Sequence, residues 1–172
     1  MILGLAVLAA AAGGYMQHRG EAPTATGAAL VGRQLPDLTL PDLDGKLHRL
    51  SDYRGRRVLL NLWASWCKPC LQEMPSLAHA QEEFGDHAPI VVGIAMDDPL
   101  RARAFLAAHP ANYPILLGRL SPPSTSLALG NMGEMLPYSV LIDADGQVLA
   151  THAGAIPAAQ LRQWFGPARR EP

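Results

Sequence analysis

The stretch Trp66-Cys67-Lys68-Pro69-Cys70 contains both cysteines of the 172-residue chain. Residues 58–63 before it are apolar with one polar break, a pattern typical of a buried strand. The residues after it carry apolar side chains at helical spacing. A cysteine in the first turn of a helix lies beside unpaired backbone N–H groups and the positive end of the helix dipole, which stabilise a thiolate. The second cysteine can attack a mixed disulfide formed by the first. The stretch therefore predicts a reversible dithiol/disulfide centre.

A zinc site is the first alternative for a C-x-x-C pair. Structural zinc needs four ligands, usually from two such pairs, and this chain has no second pair. Its six histidines show no H-x₃₋₅-H spacing. Two unrelated cysteines at this spacing are a further alternative, but a strand-to-helix junction with Trp66 before the pair and Pro69 inside it is more specific. We therefore expect no metal and no cofactor besides the redox-active disulfide between the two cysteines.

The composition is typical of one globular domain with an appendage, since 49% of residues are hydrophobic and 17% are charged. A formal net charge of −1 gives no indication of a nucleic-acid partner. No cysteine remains for a structural disulfide, so stability must come from packing. The pair does not fix the compartment, because a catalytic pair works in reducing and oxidising surroundings alike.

Residues 1–19 form an apolar stretch that is uncharged up to Arg19 at its end. It is slightly short for a span of ~20 residues and lies between a signal-peptide core and a membrane anchor. No Lys or Arg precedes it, so charge bias does not favour export unless the chain starts further upstream. The Gly/Ala/Thr/Pro composition that follows predicts a linker over 20–33. We expect an anchor at 1–19, with a cleaved signal as the alternative, a domain at 34–166 and a tail at 167–172.

Periodicity and turn signals predict an α/β domain with a mixed sheet and helices on both faces. The predicted elements are strands at 35–40 and 46–50, a strand ending near Trp63, a helix from Cys67 to about Phe84, a strand at 90–96, a helix to about His109, a strand at 113–117, a short helix at 124–129, strands at 138–142 and 147–151, and a helix at 157–165 with Leu161, Trp164 and Phe165 facing inward.

Local signals define several boundaries of these elements. Asp44-Gly45 and Asp145-Gly146 predict hairpin turns. A calcium loop is the alternative for the second turn, but the twelve-residue ligand pattern fails. Asp97-Asp98-Pro99 predicts a helix N-cap followed by proline in the first turn. Pro75 lies inside a helical pattern and should kink that helix.

This order of elements, with a C-x-x-C opening the first long helix, resembles the thioredoxin fold. The stretch 63–67 (WASWC), followed by Glu73-Met74-Pro75, resembles the TlpA/ResA-like branch, as does 136–143 (LPYSVLID). Members of that branch are membrane-tethered extracytoplasmic thiol-disulfide oxidoreductases and include the cytochrome c maturation reductants. The resemblance covers about 35–165. It implies a thioredoxin fold with an extra N-terminal strand pair and an inserted strand and helix at about 90–109.

The resemblance implies roles for individual residues. Cys67 would be the exposed attacking thiolate and Cys70 the buried resolving thiol. Pro137, as a cis-proline, would face the disulfide. The backbone of Leu136 would pair with an extended substrate segment, a mode that gives affinity with little sequence demand. The supporting positions beside the pair are Trp66, Lys68 and Pro69, and the last two form the variable dipeptide that tunes thiolate stability.

Glu73 matches the helix acid of this branch. It lies three residues beyond Cys70 on the same helical face, so it could accept or relay the proton of that thiol. An exposed helix glutamate is the alternative interpretation. Thioredoxins themselves carry a buried Asp on the strand where this chain has Asn61. This difference favours Glu73 as the proton acceptor and argues against a general cytosolic thioredoxin.

The leading hypothesis is an enzyme that exchanges disulfides with extracytoplasmic proteins as a reductant, in a role like cytochrome c maturation. We expect it to act as a monomeric domain at the periplasmic face of the inner membrane, or in soluble form after signal cleavage. The expected partners are protein thiols and disulfides and an upstream membrane thiol reductant. The membrane contact is expected through the N-terminal segment, and no nucleic acid is expected.

Two other functions compete with this hypothesis. A thiol peroxidase of the peroxiredoxin group would need a Pro-x-x-x-Thr-x-x-Cys loop, and positions 60–67 lack both the Pro and the Thr. A copper chaperone on this fold typically uses C-x-x-x-C with a distant His, and the spacing here is one residue too short. His152 is the late candidate for that ligand, and a histidine on a surface strand is the alternative.

Overall fold

The structure, a computed structural model, describes residues 27–166. The helices and strands follow the predicted order. In chain order they are β1 (Thr39–Pro41), β2 (Leu47–Arg49), β3 (Val58–Trp63), α1 (Lys68–Phe84), β4 (Ile90–Ala95), α2 (Pro99–Ala108), β5 (Ile115–Leu117), α3 (Thr125–Ala128), β6 (Tyr138–Ile142), β7 (Val148–Ala153) and α4 (Ala158–Phe165).

A five-stranded mixed sheet forms the centre of the domain, in the order β5-β4-β3-β6-β7. The strands β3, β4 and β5 are parallel, whereas β6 and β7 pair antiparallel with their neighbours. All residues of β3 are buried, which explains its nearly unbroken apolar sequence. The strands β1 and β2 form a separate antiparallel pair. The predicted mixed α/β architecture with an extra N-terminal strand pair is confirmed.

The side chains of β3 alternate between two hydrophobic cores, one on each face of the sheet. Leu60 and Leu62 pack into the first core, which the N-terminal segment covers with Leu35, Leu40 and Leu50. Leu59 packs into the second core, which α1 and α4 cover. In α4 the buried residues are Leu161, Trp164 and Phe165, as their helical spacing predicts.

Some element boundaries differ from the predictions. The first strand begins at Thr39, because the backbone before it forms hydrogen bonds with other parts of the chain. The Leu35 N–H donates to Gly146 O, and Leu38 O accepts from the Leu50 N–H. The third parallel strand begins at Ile115, two residues after Tyr113. Pro75, where a kink is predicted, lies inside α1, which is helical from Lys68 to Phe84.

The prediction of a membrane anchor concerns the N-terminal end of the chain. The segment 1–19 and the tail 167–172 lie outside the described residues. Residues 27–33, placed in the expected linker, lie against β7, where Gly32 N–H donates to Val148 O and Val148 N–H donates to Arg33 O. Within residues 27–166, no helix combines the length and the apolar character needed to cross a membrane.

Candidate active site

The redox pair lies where β3 passes into α1. Cys67 is the N-cap of α1, and its Sγ accepts a hydrogen bond from Cys70 N–H at 3.3 Å. The two cysteines form a disulfide with an S–S distance of 2.04 Å. Cys67 is 5% exposed and Cys70 is 0% exposed, so the expected attacking residue is less exposed in this disulfide form than we anticipated. Within the pair, Cys67 is the residue with exposed surface.

The loop before Cys67 is held by Asp97, which lies just after β4. The carboxylate of Asp97 accepts hydrogen bonds from Ser65 N–H at 2.7 Å and from Ser65 Oγ at 2.5 Å. Asp98 is the N-cap of α2, as predicted. Sequence reasoning treated the two aspartates only as a capping signal. One cap residue is enough to start a helix, so the second aspartate of the pair, Asp97, was available for another role.

Several of the supporting residues surround the disulfide. Trp66 is 65% exposed, and Lys68 and Pro69 are exposed in the first turn of α1. The Leu136–Pro137 peptide bond is cis, and Leu136 packs against the cluster of buried residues that contains both cysteines. A cleft of about 190 Å³ opens between Trp66 and Leu136. Its other lining residues are Met96, Leu120, Ser126 and Glu134.

Glu73 is a buried carboxyl group rather than an exposed helix residue, with 6% of its surface exposed. Its Oε2 accepts a hydrogen bond from Asn61 Nδ2 at 3.0 Å, and its Oε1 accepts one from Ile156 N–H at 2.6 Å. Burial raises the pKa of the Glu73 carboxyl because it penalises the charged form. The hydrogen bonds from Ile156 and Asn61, and the nearby His152, oppose that rise without cancelling it.

Asn61 connects this carboxyl to the sheet. Its Nδ2 also donates to Ser139 Oγ at 3.0 Å, and the two residues face each other in the β3–β6 register. Sequence reasoning identified the position of Asn61 but missed its partners, Ser139 and Ile156. The small polar residue in the otherwise apolar run of β6 was the available signal for Ser139.

The copper alternative placed its late ligand at His152. In the structure, His152 Nε2 lies 3.2 Å from Ala155 O, and its ring packs edge-on against Trp164. Within the described part of the chain, no group of three or more His, Cys, Asp or Glu side chains is arranged to hold a metal ion.

Two cysteines joined across the first turn of a helix can take up and release two electrons as a dithiol/disulfide pair. Placed at the end of the central strand of this mixed sheet, such a pair defines a redox protein of the thioredoxin fold. The chain belongs to the AhpC/TSA family, whose sequence pattern matches residues 31–151.

Individual relatives agree with this family. The chain is 32% identical to the thiol-disulfide oxidoreductase ResA of Geobacillus thermodenitrificans, over 79% of this chain and 76% of the relative. A solved Chlorobium tepidum structure described as thiol:disulfide interchange protein DsbE is 34% identical, with a TM-score of 0.68 over 78% of this chain and 94% of that chain. A secreted thiol-disulfide isomerase of Corynebacterium glutamicum is 26% identical, with a TM-score of 0.66 over 77% and 83%. The chain is therefore a thiol-disulfide oxidoreductase, as its sequence predicts.

Proposed function

We propose that this oxidoreductase reduces disulfides in extracytoplasmic proteins and receives its electrons from a membrane thiol reductant. The observation that carries the proposal is the buried carboxyl of Glu73, held by Asn61 and Ile156 one helical turn from Cys70. Release of a reduced client requires Cys70 to lose its proton and attack Cys67. A carboxyl with a raised pKa is a suitable acceptor for that proton near neutral pH.

The proposed reaction has two exchange steps. In the first, the Cys67 thiolate attacks one sulfur of a client disulfide, and the other client sulfur leaves as a thiolate. In the second, Cys70 transfers its proton to Glu73 and attacks Cys67 Sγ. The Cys67–Cys70 disulfide forms and the second client sulfur leaves as a thiolate, so the client gains two electrons. The upstream dithiol then reduces the pair again, and no cofactor besides the disulfide takes part.

The client would lie in the cleft between Trp66 and Leu136. Both residues line that cleft, and Leu136 packs against the cluster that contains the cysteines. An extended client segment can pair with the backbone of Leu136 and place its sulfur against Cys67. Main-chain pairing of this kind suits a reductant that acts on several clients.

The direction of electron flow is tested by the reduction potential. We expect the Cys67–Cys70 pair to be more reducing than glutathione, and the reduced protein to reduce a disulfide-containing test protein faster than its oxidised form oxidises a dithiol. The potential is measured by equilibration with glutathione buffers, with the Cys67→Ser variant as the blank. A potential well above that of glutathione would overturn the reductant role. Hydrogen peroxide consumption clearly above the blank would favour the peroxidase.

We also propose that residues 1–19 hold the domain at the outer face of an inner membrane. The support is the apolar composition of that segment and the resemblance to a membrane-tethered branch. We expect fractionation to find the full-length chain in the membrane and a variant without residues 1–26, which keeps every described residue, in the soluble fraction. A shortened periplasmic form would indicate a cleaved signal, and full-length protein in the cytosol would overturn both the anchor and the client class.

A further inference from the structure

A row of residues crosses the sheet on the face that α1 covers. Asn61 of β3 pairs with Gly93 of β4 on one side and with Ser139 of β6 on the other. Gly93 has no side chain, and its neighbours fill the space above it. Ile115 Cδ1 lies 2.6 Å from the position that a Cβ on Gly93 would occupy, and Trp63 Nε1 and Tyr113 Cε2 each lie 3.2 Å from it. The indole N–H of Trp63 and the ring of Tyr113 therefore meet next to Asn61.

Three polar atoms on residues in this row or next to it have no hydrogen-bond partner among residues 27–166. They are Asn61 Oδ1, Trp63 Nε1 and Tyr113 Oη. Asn61 and Trp63 are fully buried, and Tyr113 is 6% exposed. Buried polar groups are nearly always paired with protein or with ordered water. Three unpaired groups on residues that lie beside Gly93 or pair with it therefore indicate a site for a polar ligand.

The donors and acceptors present match a single water molecule. Trp63 Nε1 and Tyr113 Oη can each donate a hydrogen bond, while Asn61 Oδ1 accepts one. The Glu73 carboxylate is the second acceptor, because its oxygens can accept more than the bonds from Asn61 and Ile156. A water accepts two hydrogen bonds and donates two, and buried waters are typically held by two to four such partners.

Tyr113 separates this site from the solvent. Its ring lines a cleft of about 580 Å³ between α1 and the chain that follows α2. Its hydroxyl is buried, and burial raises the pKa of the phenol, with a further contribution from the charge of Glu73. Tyr113 therefore keeps its proton at neutral pH and remains a donor.

We propose that Asn61, Trp63, Glu73 and Tyr113 bind one buried water molecule, and that Tyr113 is a positioning residue for the proton step through this water. The water donates to the Glu73 carboxylate and to Asn61 Oδ1, and it accepts from Trp63 Nε1 and Tyr113 Oη. When Glu73 takes the proton of Cys70, the carboxylate stops accepting from the water, so the donors that hold the water set how readily Glu73 takes that proton. The proposal rests on the proton-accepting role of Glu73 described above.

The other titratable groups near this site belong to three elements. His152 of β7 lies on the side of the row away from Gly93, and its charge opposes the rise in the pKa of Glu73. The cleft on the outer side of Tyr113 carries His79 and Glu82 of α1 and His109 at the end of α2. Variants that alter the water site leave all four of these groups in place, so a change in the titration of Glu73 can be traced to the water.

The test is the Tyr113→Phe variant, which removes one hydroxyl and keeps the ring that lines the cleft. The pKa of Glu73 is measured from the ¹³C shift of its carboxyl carbon in the oxidised protein, where neither cysteine titrates. Loss of one donor to the water weakens its bond to the carboxylate, so we expect the Glu73 pKa to rise by about half a unit to one unit. The signal is assigned by its loss in Glu73→Gln.

The matched control is Tyr138→Phe, which removes a buried hydroxyl that donates to Leu129 O in the core on the opposite face. We expect this variant to lose stability without moving the Glu73 pKa. A Glu73 pKa equal to wild type in Tyr113→Phe would overturn the proposal. Absence of a water-to-indole magnetisation transfer at Trp63 Nε1–H would overturn the water itself. Both measurements are made without client or activity, so they stay independent of the reductant role.

Discussion

The Cys70→Ser variant is expected to accumulate client proteins as stable mixed disulfides, whereas the Cys67→Ser variant accumulates none. Cys67 lies at the N-cap of α1 with the only exposed surface of the pair, and Cys70 is fully buried. When a serine replaces Cys70, the mixed disulfide on Cys67 forms but no thiol remains to resolve it. Loss of the nucleophile in Cys67→Ser should lower exchange by at least about a thousandfold.

This prediction is checked by non-reducing electrophoresis after incubation with a disulfide-containing client, and by mass spectrometry of the trapped species. Alkylation of the reduced wild-type protein at neutral pH should modify Cys67 before Cys70, because the helix start favours its thiolate. The two single variants serve as controls for each other, since each keeps one thiol on the same helix. Trapping by Cys67→Ser in preference to Cys70→Ser would reverse the assignment of the two roles.

The Glu73→Gln variant is expected to slow exchange near neutral pH by about a hundredfold, the lower range of a general base contribution. The negative charge of Glu73 near Cys70 disfavours a second charge there, so its removal should also let the Cys70 thiolate form at lower pH. The measurement is thiolate absorbance against pH in the Cys67→Ser background, with exchange rates measured in the wild-type background. Identical titration curves with and without Glu73→Gln would show that this carboxyl has no influence on Cys70.

The same variant should change the pH dependence of stability. The pKa of Glu73 is raised in the folded state, so folding favours its protonated form and wild-type stability falls as pH rises from about 4.5 through the folded value. The slope within that window is at most about 1.4 kcal/mol per pH unit. Glu73→Gln removes this slope while filling the same volume. Denaturation at several pH values checks this, with the exposed Glu83→Gln on the same helix as the control.

The buried environment of Glu73 explains why this acid suits its proposed role. An exposed glutamate is ionised at neutral pH and is a weak proton acceptor, since its pKa lies far below the pH of the reaction. The hydrogen bonds from Asn61 and Ile156 fix the position of the carboxyl and limit the rise of its pKa. The group therefore combines a fixed geometry with a pKa shifted toward neutrality.

Local pattern was sufficient for much of the fold and for the redox pair. A few neighbouring residues are enough to encode each of three features: the apolar run of β3, the start of the helix after Cys67 and the cap at Asp98. The start of β1 was predicted too early because the backbone near Leu35 pairs with the distant turn at Gly146. Such pairing depends on the register of the whole sheet and leaves no periodic signal in the sequence.

By itself, the sequence determined the strand-to-helix junction, the two cysteines within one helical turn and the presence of an acid one turn further along. Only the tertiary structure decided that this acid is buried, because its partner Ile156 lies 83 positions away in the chain. The same holds for the position of Tyr113, which the chain after α2 brings next to Gly93 of β4. A dithiol motif is a local feature of the backbone, whereas the buried surroundings of Glu73 are made by Asn61 of β3 and by the backbone of Ile156 after β7, which only the folded chain brings together.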